Sequence, residues 1–360
     1  MKELTRAKFS ALQDAMRQSY GIADNAGTNE AFAVSEPMEI RLNEEVQASS
    51  EFLSRINLLP VTDKSGYALE LFVASTLAKR TDTSSKDRVP TASDAPSDIE
   101  YTCMLTEFDV SFKYDLLDAW ARYGDFMERF MKKVYRRIAL DRILIGWHGT
   151  SAAADTNRSA NTALEDVNVG WIKLLELHNP AQYLLESTQG SGKITLGTSG
   201  DYKNLDALVY DIYSMINVAS RSGYEMAIVG QNLVAHDMGK ALSAYAQQPS
   251  EKSHVLVLEK SYGGLPALMV PGFPDTGVIV TDPENLSIYF QEGKTRRQLI
   301  DNPRRSRVED FISSNDAYMI EDPKAIAGLN ASNLNIMIED PAAIAVPSAG
   351  SSASDSSTSA

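Results

Sequence analysis

The sequence predicts an α+β chain, and three observations predict it. One stretch carries a long apolar stripe at steps of three and four residues, several short stretches are rich in β-branched and aromatic residues, and Gly/Pro turns separate the latter. With 360 residues and 43% apolar content the chain can bury a substantial core, as about two domains or one large elaborated domain. A net charge of −14 argues against a protein whose main task is gripping nucleic acid, because phosphate neutralisation needs a basic field. The single cysteine, Cys103, excludes an internal disulfide and leaves too few thiols for a zinc site, which suits a reducing compartment.

Residues 3–20 place Leu4, Ala7, Ala11, Leu12, Ala15 and Met16 at helical spacing, so a short amphipathic helix precedes the breaker-rich GIADNAGTNE and reads as a detachable piece. This start has no basic-then-apolar order, and no apolar run approaches the ~18 to 20 residues that span a bilayer, so neither signal peptide nor membrane span is expected. A second helix is expected over roughly Met38 to Ile56, with Pro60 ending the approach to the next element.

GYALELFVAST and IEYTCMLTEFDVSFKY then read as the two strands of a long hairpin, joined by the polar AKRTDTSSKDRVPTASDAPSD, which cannot build a core of its own. Next, Leu116, Trp120, Tyr123, Met127, Phe130, Val134 and Ile138 draw one stripe down a helix of some thirty residues, a rod of about 45 Å. Its polar side carries Lys132, Lys133, Arg136 and Arg137, read as a solvated or salt-bridged face.

The stretch IGWHGTSAAADTNRSANTALEDVNVGW (145–171) resembles a catalytic loop in composition, but is read as a connector that turns at Gly146 and Gly149 and docks through Leu164, Val167 and Trp171. Leu205, Leu208, Val209, Ile212 and Ile216 form another amphipathic helix. EMAIVG reads as a strand, QNLVAHDMGKALSAYA as a helix, and HVLVLE, LPALMV, GVIVTD, LSIYFQ and FISSNDAYMIED as strands. From about Asn330 the chain turns Ser/Ala-rich and is expected to be disordered; within it Ile338-Glu-Asp-Pro repeats Ile320-Glu-Asp-Pro, a local duplication.

Little in the sequence points to chemistry. His148, His178, His236 and His254 stand alone, with no HExxH or HxH pairing that would place two imidazoles on one metal. Gly190-Ser-Gly-Lys193 fails as a phosphate loop, because Ser187 and Ile194 occupy the positions that need Gly and Ser/Thr. No GxSxG elbow exists and Cys103 lies in a strand pattern, so no catalytic, cofactor-binding or metal residue is assigned and no cofactor is expected. Lys294, Arg296, Arg297, Arg304, Arg305 and Arg307 form a basic cluster flanked by Asp301, Glu309 and Asp310; in an acidic chain that self-associates, such charges suit a neighbouring copy.

The order of elements is similar to the HK97-type fold of tailed-phage capsids. SSEFLSRINLLPV (49–61), DLLDAWARYGDF (115–126), NTALEDVNVGW (161–171), GDYKNLDALVYD (200–211) and ENLSIYFQEGKTRRQLIDNPRRSRVEDFISSNDAYMIED (284–322) resemble the P2-like phage major capsid protein family, over about Lys2 to Asp322. The resemblance implies an α+β shell subunit. It would comprise a removable segment (1–31), an N-terminal arm (32–65), an extended hairpin loop (66–114), a peripheral domain with a spine helix (115–199), an axial domain (200–303), a return to the peripheral domain (304–329) and a disordered tail (330–360). It also implies removal of the first segment by a maturation protease, with Ala31 and Phe32 flanking the cut, and exposed breaker-rich chain suits proteolysis.

The implied partners are further copies in hexamers and pentamers, a scaffold, the maturation protease, a portal protein and non-specifically contained DNA, without a membrane. The implied setting is the virion capsid, assembled in host cytoplasm. Lys79, Lys86 and Asn315 are present, but no covalent crosslink is assigned to them. The rival classes are an encapsulin-like compartment protein, against which the removable segment and the phage-like blocks speak, and a soluble α+β enzyme, for which no convergent pocket is specified.

Overall fold

Apolar spacing sets the helices and β-branched runs set the strands in the computed structural model, which describes residues 2–20, 32–67, 80–85, 87–89, 99–120, 126–197, 199–237 and 261–336. In chain order its main elements are α1 (Glu3–Tyr20), β1 (Phe32–Ala33), α2 (Glu36–Ala48), β2 (Asn57–Val61), β3 (Ser65–Tyr67), β4 (Glu100–Thr102), β5 (Met104–Glu107), β6 (Val110–Lys113), α3 (Tyr114–Trp120) and α4 (Phe126–His148). There follow α5 (Trp171–His178), β7 (Tyr183–Leu184), β8 (Ile194–Leu196), α6 (Leu205–Met215), β9 (Met226–Val229), β10 (Ser261–Tyr262), β11 (Leu265–Leu268), β12 (Val278–Thr281), β13 (Leu286–Gln291), β14 (Arg296–Asn302), β15 (Arg307–Ile320), β16 (Ile326–Leu329) and β17 (Leu334–Ile336).

Among the described residues, two sheets organise the chain. The first has seven strands in the order β1-β14-β15-β13-β2, with β5 and β6 added along β15. Strand β15, 14 residues long, is its axis: Arg307 to Ser313 pairs with β14 and Asp316 to Ile320 with β13, while its other edge takes β6 and then β5. The second has six strands in the order β10-β11-β9-β12-β16-β7 and is covered on both faces. Ala227, Val229, Val278, Val280, Ala327 and Leu329 meet Leu205, Leu208, Val209 and Ile212 of α6, whereas Ile228, Ile279 and Ile326 point into the other core. Two-sided burial explains why MAIV, VIVT and IAGL are continuous apolar runs rather than alternating ones.

That other core gathers α1, α2, α4 and α5 against the seven-stranded sheet. At its centre Trp147 and Trp171 meet edge to face at 4.8 Å, with Phe52, Phe273 and Tyr318 around them. Residues 282–285 and 321–325 cross between the two sheets, and residues 179–182, which carry the chain from α5 into β7, run beside the second crossing. Side-chain amides stitch them: Asn179 donates to the Pro323 carbonyl (2.9 Å), Gln182 to Lys324 (3.0 Å) and Asn285 to Asp322 (2.9 Å), and Asp322 N–H returns a bond to Asn285 (2.7 Å).

Several expectations are corrected. The second helix stops at Ala48, giving way to a 3-10 turn at Leu53–Arg55, and Pro60 lies inside β2; β2 is an end strand of the sheet path, where a missing N–H costs no ladder bond on its open side. The long helix is present as α3 and α4, residues 121–125 lying outside the described residues, and Leu116 is exposed while Leu117 takes the buried position. Among the described residues the long hairpin pairs at its base, β3 with β4, and most of its first strand, 68–76, lies outside them; beyond Cys103 the second strand leaves for the seven-stranded sheet as β5 and β6.

Gly146 is no turn but a residue of α4, pressed against Trp171. The tail is ordered further than expected: Leu334 to Ile336 run parallel to Ile194 to Leu196, with Leu334 buried. A boundary at residue 303 also cuts across the sheets, since β13 and β14 belong with β15, and β16 with β12. The expected strand HVLVLE, the second half of the helix after Gln231 and the second copy of the IEDP repeat lie outside the described residues.

Candidate assembly surface

The amino-terminal arm is built into the seven-stranded sheet. Phe32 and Ala33 lie antiparallel opposite Arg297 and Arg296, and Val34 N–H donates to the Thr295 carbonyl at 3.0 Å. Behind them the fully buried Glu39 of α2 accepts from Gly293 N–H (2.7 Å), Thr295 N–H (3.2 Å) and the Thr295 hydroxyl, so a buried carboxylate fastens the arm to the turn between β13 and β14. Ala31 lies outside the described residues, and Phe32 opens β1 half-buried.

Helix α1 is held separately. Phe9, Leu12 and Met16 enter the core, and Asp118 of α3 accepts from Thr5 Oγ1 (2.5 Å) and Lys2 N–H (2.9 Å), satisfying donors at the start of α1. These two bonds, the hydroxyl's first, hold the Asp118 carboxyl below its ordinary value.

The basic cluster seen in the sequence is divided. Arg297 is 1% exposed and donates through Nη2 to Asp310 at 2.7 Å, so it is an internal ion pair and not a surface charge; two-residue alternation along β14 turns it inward while Arg296 faces out. Lys294 and Arg296 are exposed beside β1. Arg304 and Arg305 are exposed at the opposite end of β14, on the Pro303–Arg305 turn. Arg307 begins β15 and donates to Glu309 at 2.5 Å, which pulls the Glu309 carboxyl down.

Sequence patterning did not single out Lys113, which β6–β15 pairing sets directly opposite Arg307. On α4, Lys132, Lys133, Arg136 and Arg137 are exposed as expected, with Lys133 4.4 Å above the Trp120 ring and Arg137 2.8 Å from Asp141.

The residues that resembled chemistry are occupied otherwise. His148 Nε2 donates to the Gly272 carbonyl at 2.8 Å, and His178 is exposed in the last turn of α5. In the GSGK turn, Gly190 and Gly192 adopt positive φ and aim their N–H groups at Glu186, each at 2.7 Å; this loop holds an anion, and the anion is its own side chain. Cys103 is fully buried, and burial first, then Asp316, pushes its thiol up to about 12. Asn315 donates to Gln291 at 2.8 Å, while Lys79 and Lys86 lie outside the described residues.

A cleft of about 660 Å³ opens between the β5–β6 turn, α4 and residues 152–167, lined in part by Glu107, Asp109, Arg137, Asp141 and Arg158. Burial pushes the Asp109 and Asp141 carboxyls up, with Glu107 adding to Asp109, while Arg137 opposes the shift at Asp141 and Arg158 opposes it at both. Among the described residues no group of His, Cys, Asp and Glu side chains is placed to hold a metal, and no helix is long and apolar enough to cross a membrane.

The profile of the family described as phage major capsid protein, P2 family, matches residues 8–331. The chain is 34% identical to the capsid proteins of Escherichia phage P2 over 335 residues, covering 89% of this chain and 92% of that one. It is 30% identical over 332 residues to the major capsid protein of Serratia phage KSP20, covering 89% and 94%. Among solved structures, a chain of the satellite phage P4 procapsid including the size determination (Sid) protein matches with a TM-score of 0.75 and 32% identity, covering 94% of this chain and 99% of that one. With the family profile spanning nearly the whole chain, and relatives above 30% identity matching at almost full length, the chain belongs to the P2 family of phage major capsid proteins.

Proposed function

We propose that this major capsid protein builds a closed shell of hexamers and pentamers around packaged double-stranded DNA, and that cutting between Ala31 and Phe32 matures it. The protein is a structural shell subunit of a tailed phage, its place is the virion capsid, and it works as a homo-oligomer. Heterologous interfaces that close into rings suit such assembly.

The observation that carries the maturation reading is the way the arm is fastened. From Phe32 onward the chain is held by β1–β14 pairing and by Glu39, whereas α1 is a separate helix docked by Phe9, Leu12, Met16 and Asp118. A cut before Phe32 therefore leaves the arm in its sheet. Residues 32–67 with the two sheets would then divide into a peripheral part, the seven-stranded sheet with α4, and an axial part, the six-stranded sheet with α6.

Scaffold, maturation protease and portal protein are the further partners proposed, with assembly in host cytoplasm. The exposed Arg296, Arg304 and Arg305, with the half-buried Arg307, are the proposed contact charges. Electron microscopy of the full chain co-expressed with scaffold and protease tests the shell, expected as closed particles; discrete monomers or dimers would overturn it. Mass spectrometry of virion subunits tests the cut, expected as a mature chain beginning at Phe32; an intact Met1 to Phe32 region would overturn that part alone.

A further inference from the structure

Antiparallel pairing of β6 with β15 sets Lys113 directly opposite Arg307, and like charges so placed destabilise a sheet. The turn beside them adds two more cations, Arg304 and Arg305, both exposed. It ends at Ser306, a non-glycine residue at φ +50°, a backbone region that costs energy and collects at working sites. Tyr114 N–H donates to the Ser306 carbonyl at 3.1 Å, which ties this turn to the end of β6 and keeps Lys113 next to it.

Two acids of this corner, Glu309 and Asp301, are already engaged. Glu309 accepts from Arg307 and from Asn302, and the Tyr114 hydroxyl donates to Asp301. Lys113, Arg304 and Arg305 make no ion pair among the described residues, although Arg305 helps Arg307 to draw the Glu309 carboxyl down. A chain of net charge −14 thus concentrates unspent cations at one corner of its main sheet, at some cost to its own stability.

We infer that this corner is a contact for carboxylates on a second copy of the chain, with Lys113, Arg304 and Arg305 as its charges. The inference rests on the shell reading and gives one interface of that shell its chemistry. Acidic copies repel one another across most of their surfaces, so a cationic corner lowers the barrier to encounter and fixes which surface meets which. A repulsive pair tolerated in the free subunit is relieved when carboxylates approach it.

The test uses the full chain co-expressed with its scaffold, and reads shells against free subunits by sedimentation velocity and thermal midpoints of free subunits by circular dichroism. Lys113→Gln should raise the midpoint, because it removes the repulsion from Arg307. The triple variant K113E/R304E/R305E should stay folded and form shells at least about tenfold less well. If the triple reversal does not fold, the triple glutamine variant replaces it, with a smaller loss of the same sign expected.

Shells at wild-type yield from the folded triple variant would overturn the inference. Wild-type yield with weakened binding of duplex DNA would overturn it in favour of a phosphate partner. A wild-type chain that forms no shells under these conditions would overturn the shell reading itself, which the variants do not address.

Discussion

A methyl group on Gly146 would lie 2.3 Å from the indole ring of Trp171, so the two residues hold α4 and α5 at the distance that only a glycine permits. Gly170 repeats the requirement from the other side, where an added Cβ would sit 2.4 Å from the Gly146 carbonyl oxygen. The connector between them is free to be polar because its two ends are fixed by this contact.

Gly146→Ala should therefore destabilise the fold by about 1–3 kcal/mol, the usual cost of overpacking, despite the better helix propensity of alanine. Thermal or urea denaturation of the free subunit reads the loss. An unchanged or higher midpoint would show that Trp171 can move aside.

Replacing Arg297 by Met should cost roughly 3–5 kcal/mol, since it strands the buried Asp310 without its partner. The double variant Arg297→Met with Asp310→Leu should recover much of that loss. A double-mutant cycle measures the coupling, and additive losses would count against a paired role.

Acid should loosen α1 in a defined direction. The Asp118 carboxyl is held below its ordinary 3.8, so its contribution is complete above that value and is lost as pH falls through the lower, folded value. Hydrogen exchange of residues 5–18 should accelerate over that acidic window in the wild type. In Asp118→Ala the same amides should exchange faster already at neutral pH, and equal rates in the two chains would sink the assignment.

Leu334→Ala should destabilise by about 2–5 kcal/mol, as for other buried leucines, because β17 is part of the fold. Tyr224→Ala, at an exposed position, serves as the internal reference. A midpoint unmoved by Leu334→Ala would return residues 334–336 to the tail.

Elements with strong periodicity were legible: α1, α6 and strands β9, β12, β13 and β15 lie where spacing placed them. What patterning could not supply was pairing. Nothing in FDVSFKY says that it leaves the hairpin for β15, so the opposition of Lys113 and Arg307 emerged only with the register. Arg297 and Arg296 are chemically alike in sequence, and only the inward turn of one β14 residue separates an internal ion pair from an exposed charge. Leu334-Asn-Ile sits in polar company, and its strand forms because Ile194 to Leu196 offer a parallel edge from far along the chain.

The two sheet-to-sheet crossings, stitched to each other by Asn285 and to the segment beside them by Asn179 and Gln182, have a mechanical meaning. Any outward force on one sheet, such as pressure from the contents of a shell, reaches the other in part through these narrow bundled strands. Joined by side-chain hydrogen bonds, the crossings share tension rather than yielding one after another. A load path of this kind spreads force over several hydrogen bonds before either crossing can part.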